Sequence, residues 1–244
     1  MKKRTDPCKN QLFYIDFNIF YFNGMKKLRI IGSNQEIETG KILCLGRNYA
    51  EHAKEMKFDV PSLPIVFMKP STAIICNGEA IVRPKISKEL HHEVELVVAI
   101  GKTGKNIPAS EAYDYICGYA VGLDMTLRDI QSEAKTGGLP WTVAKGFDTS
   151  AAVSDIISKS RIANPHDLTL RCKVNGSVRQ QSSTGKMILT IDRIIEYISS
   201  LFTLESGDLI FTGTPEGVGE VKHGDTIEAE LVGYATISHP VIAE

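Results

Sequence analysis

A β-rich mixed α/β fold is what this sequence predicts, and three observations carry the prediction. Apolar runs of strand length recur along the chain, glycine- and proline-bearing turn signals separate them, and few stretches repeat apolar residues at helical spacing. With 244 residues, 43% of them hydrophobic, the chain is long enough to bury a sizeable core.

Residues 1–24 stand apart. Their basic start and aromatic run imitate a signal peptide, but Asp16, Asn18 and Asn23 interrupt the run and no small-residue cleavage site follows. "MKKLRIIGS", from Met25, reads as a second beginning, so residues 1–24 are expected to be an extension outside the fold and residues 25–244 one domain. "KILCLG" (41–46) is strand-like. Asn48 and Glu51 then have the spacing of a capping box for a short helix running to about Met56. "IVFMKPSTAIICNGEAIVRP" follows as brief extended pieces broken by Pro70 and the Asn77-Gly78 turn. "ELHHEVELVVAIG" (89–101) and "YICGYAVGLDMT" read as buried strands. Thr126 and Asp129 have capping-box spacing for a helix ending at Gly137-Gly138. Ile188, Ile191, Ile194, Ile195 and Ile198 mark the longest helix. The remaining chain returns to strands and glycine turns, with Ile227, Ala229 and Leu231 alternating against polar residues.

Charge and cysteine usage exclude several classes. A net charge of -1 with no concentrated Lys/Arg block gives no field for nucleic acid or an anionic membrane, and no apolar run approaches the roughly 18 residues a transmembrane helix needs. Five widely spaced cysteines form no C-x-x-C pair, which argues against a disulfide framework or a cysteine zinc site and for a reducing cytoplasm. The expected partner is a small molecule.

Along the 89–101 strand, Glu93, Glu95, Val97 and Ala99 share one face and Val94, Leu96, Val98 and Ile100 the other. An isolated E-x-E is ordinarily solvated. Here apolar neighbours on both faces imply burial, and buried carboxylates repel unless cations or donors compensate. Asp124 ends the next strand on a face shared with Ala120 and Gly122, whose small size leaves room beside it. Three carboxylates suit a hard cation, Mg²⁺ or Mn²⁺, better than zinc.

His52 and Glu55, three apart, share a helix face and have the makings of an oriented base, although a solvated His–Glu contact has the same spacing. Arg128 and Gln131 share a face beyond Asp124 and suit a substrate carboxylate. Lys145 has the charge to neutralise an oxyanion, but a lone lysine is more often on the surface. "TGTPEGVG" either aims backbone donors at an anion or merely joins two strands; it lacks the ending of a phosphate-binding loop.

Six blocks in order, "LGRNYAEHAKEM", "FMKPSTAI", "HHEVELVVAIG", "GLDMTLRD", "GLPWTVAKGFD" and "DLIFTGTPEGVG", resemble the fumarylacetoacetate hydrolase family from about Lys41 to Val241, in particular its small single-domain acylpyruvase and oxaloacetate decarboxylase group. The resemblance implies a β-roll with peripheral helices, assembled as a homodimer. It implies Glu93, Glu95 and Asp124 as Mg²⁺ ligands, His52 and Glu55 as a dyad, and Lys145 as an active-site lysine. Arg128, Gln131 and Thr214 match positions that contact a 2-oxo acid's carboxylate. The activity it implies is cleavage of acylpyruvates to pyruvate and a carboxylic acid, with oxaloacetate decarboxylation on the same site. A 2-oxo-dienoate hydratase or isomerase is the alternative. Residues 1–24 have no counterpart in the short members. Ala151-Ala152 replaces bulkier or proline-containing sequence near the expected pocket, which bears on substrate preference.

Overall fold

A computed structural model describes residues 26–55 and 64–244. The N-terminal extension, Cys8 and the predicted helix end at Met56 lie outside the described residues. The architecture is mixed α/β and strand-rich, as predicted. Eight strands run in the order Glu36–Glu38, Lys27–Ile31, Ile156–Ser158, Ile116–Asp124, Val94–Ile100, Leu209–Phe211, Ile42–Gly46 and Ile65–Lys69. Ala151–Val153 pairs with Ile116–Asp124 and with Ile74–Ile75, extending this largest sheet. A five-stranded sheet runs from Ser177–Ser183 through Thr169–Val174, Thr226–Leu231 and Ala235–Ala243 to Ile81–Arg83. Three short strands, Thr126–Leu127, Leu90–His92 and Gly219–Val221, form a third sheet beside the carboxylates.

The central strand Val94–Ile100 is buried along its whole length because both of its faces meet apolar side chains. Leu96, Val98 and Ile100 enter one core with Ile227, Ala229 and Leu231, whose alternation is as read from the sequence. Val97 and Ala99 enter a second core with Cys44, Ala120 and Phe211. The run 89–101, predicted as one strand, divides at Glu93 into Leu90–His92 and Val94–Ile100, which belong to different sheets; Glu93 lies in the break and Glu95 within the second strand, which has no solvent face for it.

The longest helix, Ile191–Leu201, buries Ile191, Ile194, Ile195 and Ile198. Ile188 precedes this helix and is exposed, which shortens the predicted stripe by one turn. Neither predicted capping box forms. The helix Ala50–Glu55 starts beyond Asn48, whose side chain instead accepts from Leu189 N at 2.7 Å and donates to Thr212 O at 2.8 Å. The helix Arg128–Gly137 has no side-chain cap; Thr126 is drawn to Lys145, and Asp129 accepts from Ser87 Oγ at 2.6 Å and Lys88 N at 2.8 Å. Its C-terminus is as predicted, with Gly138 in the left-handed conformation at φ 64°. Cys44, Cys76, Cys117 and Cys172 are free thiols. Among the described residues no helix is long and apolar enough to cross a membrane.

Candidate active site

Antiparallel pairing sets Glu95 opposite Gly122 and Val97 opposite Ala120, while Asp124 N donates to Glu93 O at 2.8 Å. This register brings all three predicted carboxylates together. Glu93, Glu95 and Asp124 are buried, and one oxygen of each lies within 4.8 Å of the others. The space expected beside Gly122 is not open: a Cβ there would stand 2.7 Å from both Phe211 and Val97. The glycine admits core packing under the site, not a ligand.

Three cations surround the cluster. Lys145 Nζ donates to Glu93 Oε2 at 2.8 Å, Asp124 Oδ2 at 2.6 Å and Thr126 Oγ1 at 2.7 Å, so all three of its protons are committed. Arg128 donates to Glu93 Oε1 at 2.5 Å and to Gln131 Oε1 at 2.7 Å, confirming the shared face. Lys69, fully buried, lies in the block "FMKPSTAI", where nothing in the local sequence marks it as a site residue. Its ammonium donates to the carbonyls of Met125, Ser150 and Lys145, and lies 2.8 Å from Asp124 Oδ1.

These contacts divide the carboxylates. Burial works against ionising Glu93, but Lys145 and Arg128 overcome it and hold the carboxyl well below the usual range. Glu95 has no such partner; burial, then repulsion from Asp124 and Glu93, pushes it well above that range despite the Gly213 N–H at 2.6 Å. Burial likewise opposes charging Lys145, yet Asp124 and Glu93 raise it.

The donor set fits a divalent metal. Asp124 Oδ1 is buried and receives no hydrogen bond, because the Lys69 protons go to carbonyls. With only the Lys69 ammonium beside it at 2.8 Å, that oxygen keeps a lone pair unused, and with two glutamates it makes an all-oxygen set of the kind hard cations prefer.

The "TGTPEGVG" turn aims its donors at anions, and the anions are the protein's own. Gly213 N–H holds Glu95, and Gly217 N–H reaches both oxygens of Glu55 at 3.0 and 3.1 Å. Both glycines need positive φ, 100° and 92°. Glu55 Oε2 in turn faces His52 Nδ1 at 3.4 Å, so Nε2 is the ring nitrogen that Glu55 does not engage. One turn therefore orients Glu95 and the Glu55–His52 pair together.

His52, Glu93, Glu95, Arg128, Gln131, Lys145 and Thr214 line one cavity, joined by Arg47, Phe67, Lys135 and Trp141. Lys135 lies 5.1 Å from the Trp141 ring centre, and burial, followed by Arg128, lowers its ammonium to about 8. Glu55 and Asp124 act from behind this lining. Ala151-Ala152, expected near the pocket, is buried strand opposite Asp124 and Leu123 and does not line the cavity.

The fumarylacetoacetate (FAA) hydrolase C-terminal family model matches residues 41–242. The chain belongs to the fumarylacetoacetate hydrolase family. Within that family it is 51% identical over 205 residues to oxaloacetate tautomerase FAHD1, mitochondrial, of Mus musculus, covering 84% of this chain and 93% of that protein. The crystal structure of fumarylpyruvate hydrolase from Pseudomonas aeruginosa in complex with Mn²⁺ and pyruvate superposes with a TM-score of 0.87 at 38% identity, over 93% of this chain and 99% of that one. A 5-carboxymethyl-2-hydroxymuconate delta-isomerase from Mycobacterium smegmatis matches at 0.76 and 40% identity, over 85% and 80% of the two chains. Similar family members thus include hydrolases, isomerases and an oxaloacetate-acting enzyme on one fold.

Proposed function

We propose that this protein is a divalent-metal-dependent hydrolase of acylpyruvates, 2,4-diketo acids such as acetylpyruvate or fumarylpyruvate, and that it also decarboxylates oxaloacetate. The observation that carries the reading is the convergence of the Glu93, Glu95 and Asp124 oxygens with the His52–Glu55 pair around one cavity. Glu93, Glu95 and Asp124 would hold Mg²⁺, with Mn²⁺ as a substitute. Such an ion supplies neutralisation of the charge that develops on a 2-oxo oxygen.

The chain's own residues do the rest. Arg128 and Gln131 hold the substrate carboxylate; Thr214 lines the cavity beside them, but its hydroxyl proton goes to Val94 O. His52 Nε2 takes a proton from water while Glu55 steadies the Nδ1 proton. The water oxygen bonds to C4, the C3–C4 bond breaks, and its electron pair passes to the pyruvate enolate, which is protonated at C3. Lys145 contributes its positive charge at the cavity wall rather than a free proton, since its three protons already serve Glu93, Asp124 and Thr126. Oxaloacetate loses CO₂ from the same bound orientation without water attack. A homodimer rests on the family resemblance, and a cytoplasmic location on the free thiols of the four cysteines among the described residues.

The similarity to an oxaloacetate tautomerase favours a second reading, in which the same residues only move a proton between C3 and the enol oxygen. Proton NMR of acetylpyruvate incubated with protein and Mg²⁺ separates the two. Equal acetate and pyruvate support the hydrolase; keto–enol exchange with no carbon–carbon cleavage supports the tautomerase. His52→Ala is expected to depress hydrolysis more than oxaloacetate decarboxylation, and equal loss of both would contradict this division of labour.

A further inference from the structure

Gln180 is fully buried on a strand whose flanking residues, Arg179 and Gln181, face solvent. All four hydrogen-bonding positions of its amide are used. Oε1 accepts from Val94 N at 3.1 Å and faces His92 Nδ1 at 2.9 Å; Nε2 donates to Thr214 Oγ1 and to Pro215 O, each at 2.9 Å. Val94 lies between Glu93 and Glu95, and Thr214 lies in the turn that carries Gly213 and Gly217. Thr214 Oγ1 completes the link by donating to Val94 O at 2.9 Å.

The proton of the Thr214 hydroxyl is therefore spent on the strand, and one of its lone pairs on Gln180. A hydroxyl so committed is a brace and has no proton left for a substrate carboxylate. Behind it, the turn packs directly on the Gln180 strand: a Cβ at Gly217 would meet Arg179 O at 2.3 Å.

We infer that Gln180 is a positioning residue, which fastens the backbone at Val94, between Glu93 and Glu95, to the 213–217 turn and uses the Thr214 hydroxyl as its second anchor. This rests on the 2-oxo acid reading above and adds a residue to it. The brace fixes where Gly213 holds Glu95 and where Gly217 holds Glu55, so its loss loosens ligand binding without removing any group that touches the ligand.

The test is pyruvate binding to the Mn²⁺-loaded protein by titration calorimetry, for wild type, Gln180→Met, Thr214→Val, the double variant and Thr214→Ser. Each of the first two single variants is expected to weaken pyruvate about tenfold, the weight of one buried hydrogen bond. The double variant is expected to be no weaker than the worse single, because both break one brace, and Thr214→Ser to bind like wild type. If Gln180→Met does not fold, Gln180→Glu keeps the shape and the acceptor for Val94 N–H, removes the donors, and takes its place in the cycle. Additive losses, near a hundredfold in the double, or a loss in Thr214→Val with none at position 180, would overturn the role of Gln180 while leaving the 2-oxo acid reading intact. Failure of the wild type to bind pyruvate would overturn that reading and the role of Gln180 with it.

Discussion

Replacing Lys69 with methionine keeps the side-chain length and removes one buried charge. The wild-type ammonium is fully buried, 2.8 Å from Asp124 Oδ1, and donates to the Met125, Ser150 and Lys145 carbonyls. Removing one partner of a buried pair leaves the other uncompensated and costs roughly 3–5 kcal/mol, which for a chain of this size lowers Tm by roughly 6–20 °C. Circular dichroism melts in EDTA would measure it. The surface pair Lys26–Glu79, at 2.7 Å with both side chains about two-fifths exposed, supplies the control. Lys26→Met is expected to cost under about 1 kcal/mol. Adding Asp124→Asn to Lys69→Met is expected to recover part of the loss by removing the stranded charge. A Lys69→Met melt no lower than that of Lys26→Met would refute the reasoning.

Two further predictions concern the turn and Glu95. Gly217→Ala places a Cβ 2.3 Å from Arg179 O at a φ of 92°, so the Gly217–Glu55 contact is lost, and hydrolysis is expected to fall on the order of tenfold for one lost hydrogen bond to a charged group; unchanged hydrolysis would remove Glu55 orientation from the account. In chelator-treated protein Glu95 binds its proton more tightly folded than unfolded, so its contribution to folding stability is lost as pH rises from the ordinary glutamate value of about 4.3 through the raised folded value, against the opposite contribution of His91 and His92, which burial lowers. In the same window a divalent ion must displace that proton, so Mn²⁺ affinity is expected to rise with pH, with proton uptake or release checked by calorimetry in buffers of different ionisation enthalpy. Mn²⁺ affinity independent of pH from 4 to 7 would contradict the shift.

Much of the site was legible because strand geometry is periodic. A period of two puts Glu93 and Glu95 on one face of the predicted strand, and the apolar neighbours on both faces announce their burial; the break at Glu93, between the strands Leu90–His92 and Val94–Ile100, was not legible. Asn48 and Thr126 misled because their local spacing suited a helix cap while tertiary partners, Leu189 and Thr212 for one and Lys145 for the other, competed for the same side chains. Lys69 and Gln180 were illegible for a related reason. Each sits in a stretch that reads as an ordinary strand, and its partners arrive from carbonyls and side chains 34 to 88 residues away. Only the folded register discloses that Lys69 leaves Asp124 Oδ1 without a hydrogen, or that Gln180 ties two parts of the site together.

The most direct test of the central claim is pyruvate release from fumarylpyruvate, acetylpyruvate and oxaloacetate, each followed with Mg²⁺ and with excess EDTA, for wild type and Glu93→Ala. Metal-dependent release by the wild type, with the matching carboxylic acid from a diketo acid and no release by Glu93→Ala, is the predicted result. Release that survives EDTA or the loss of Glu93, or no release from any of the three, would contradict it.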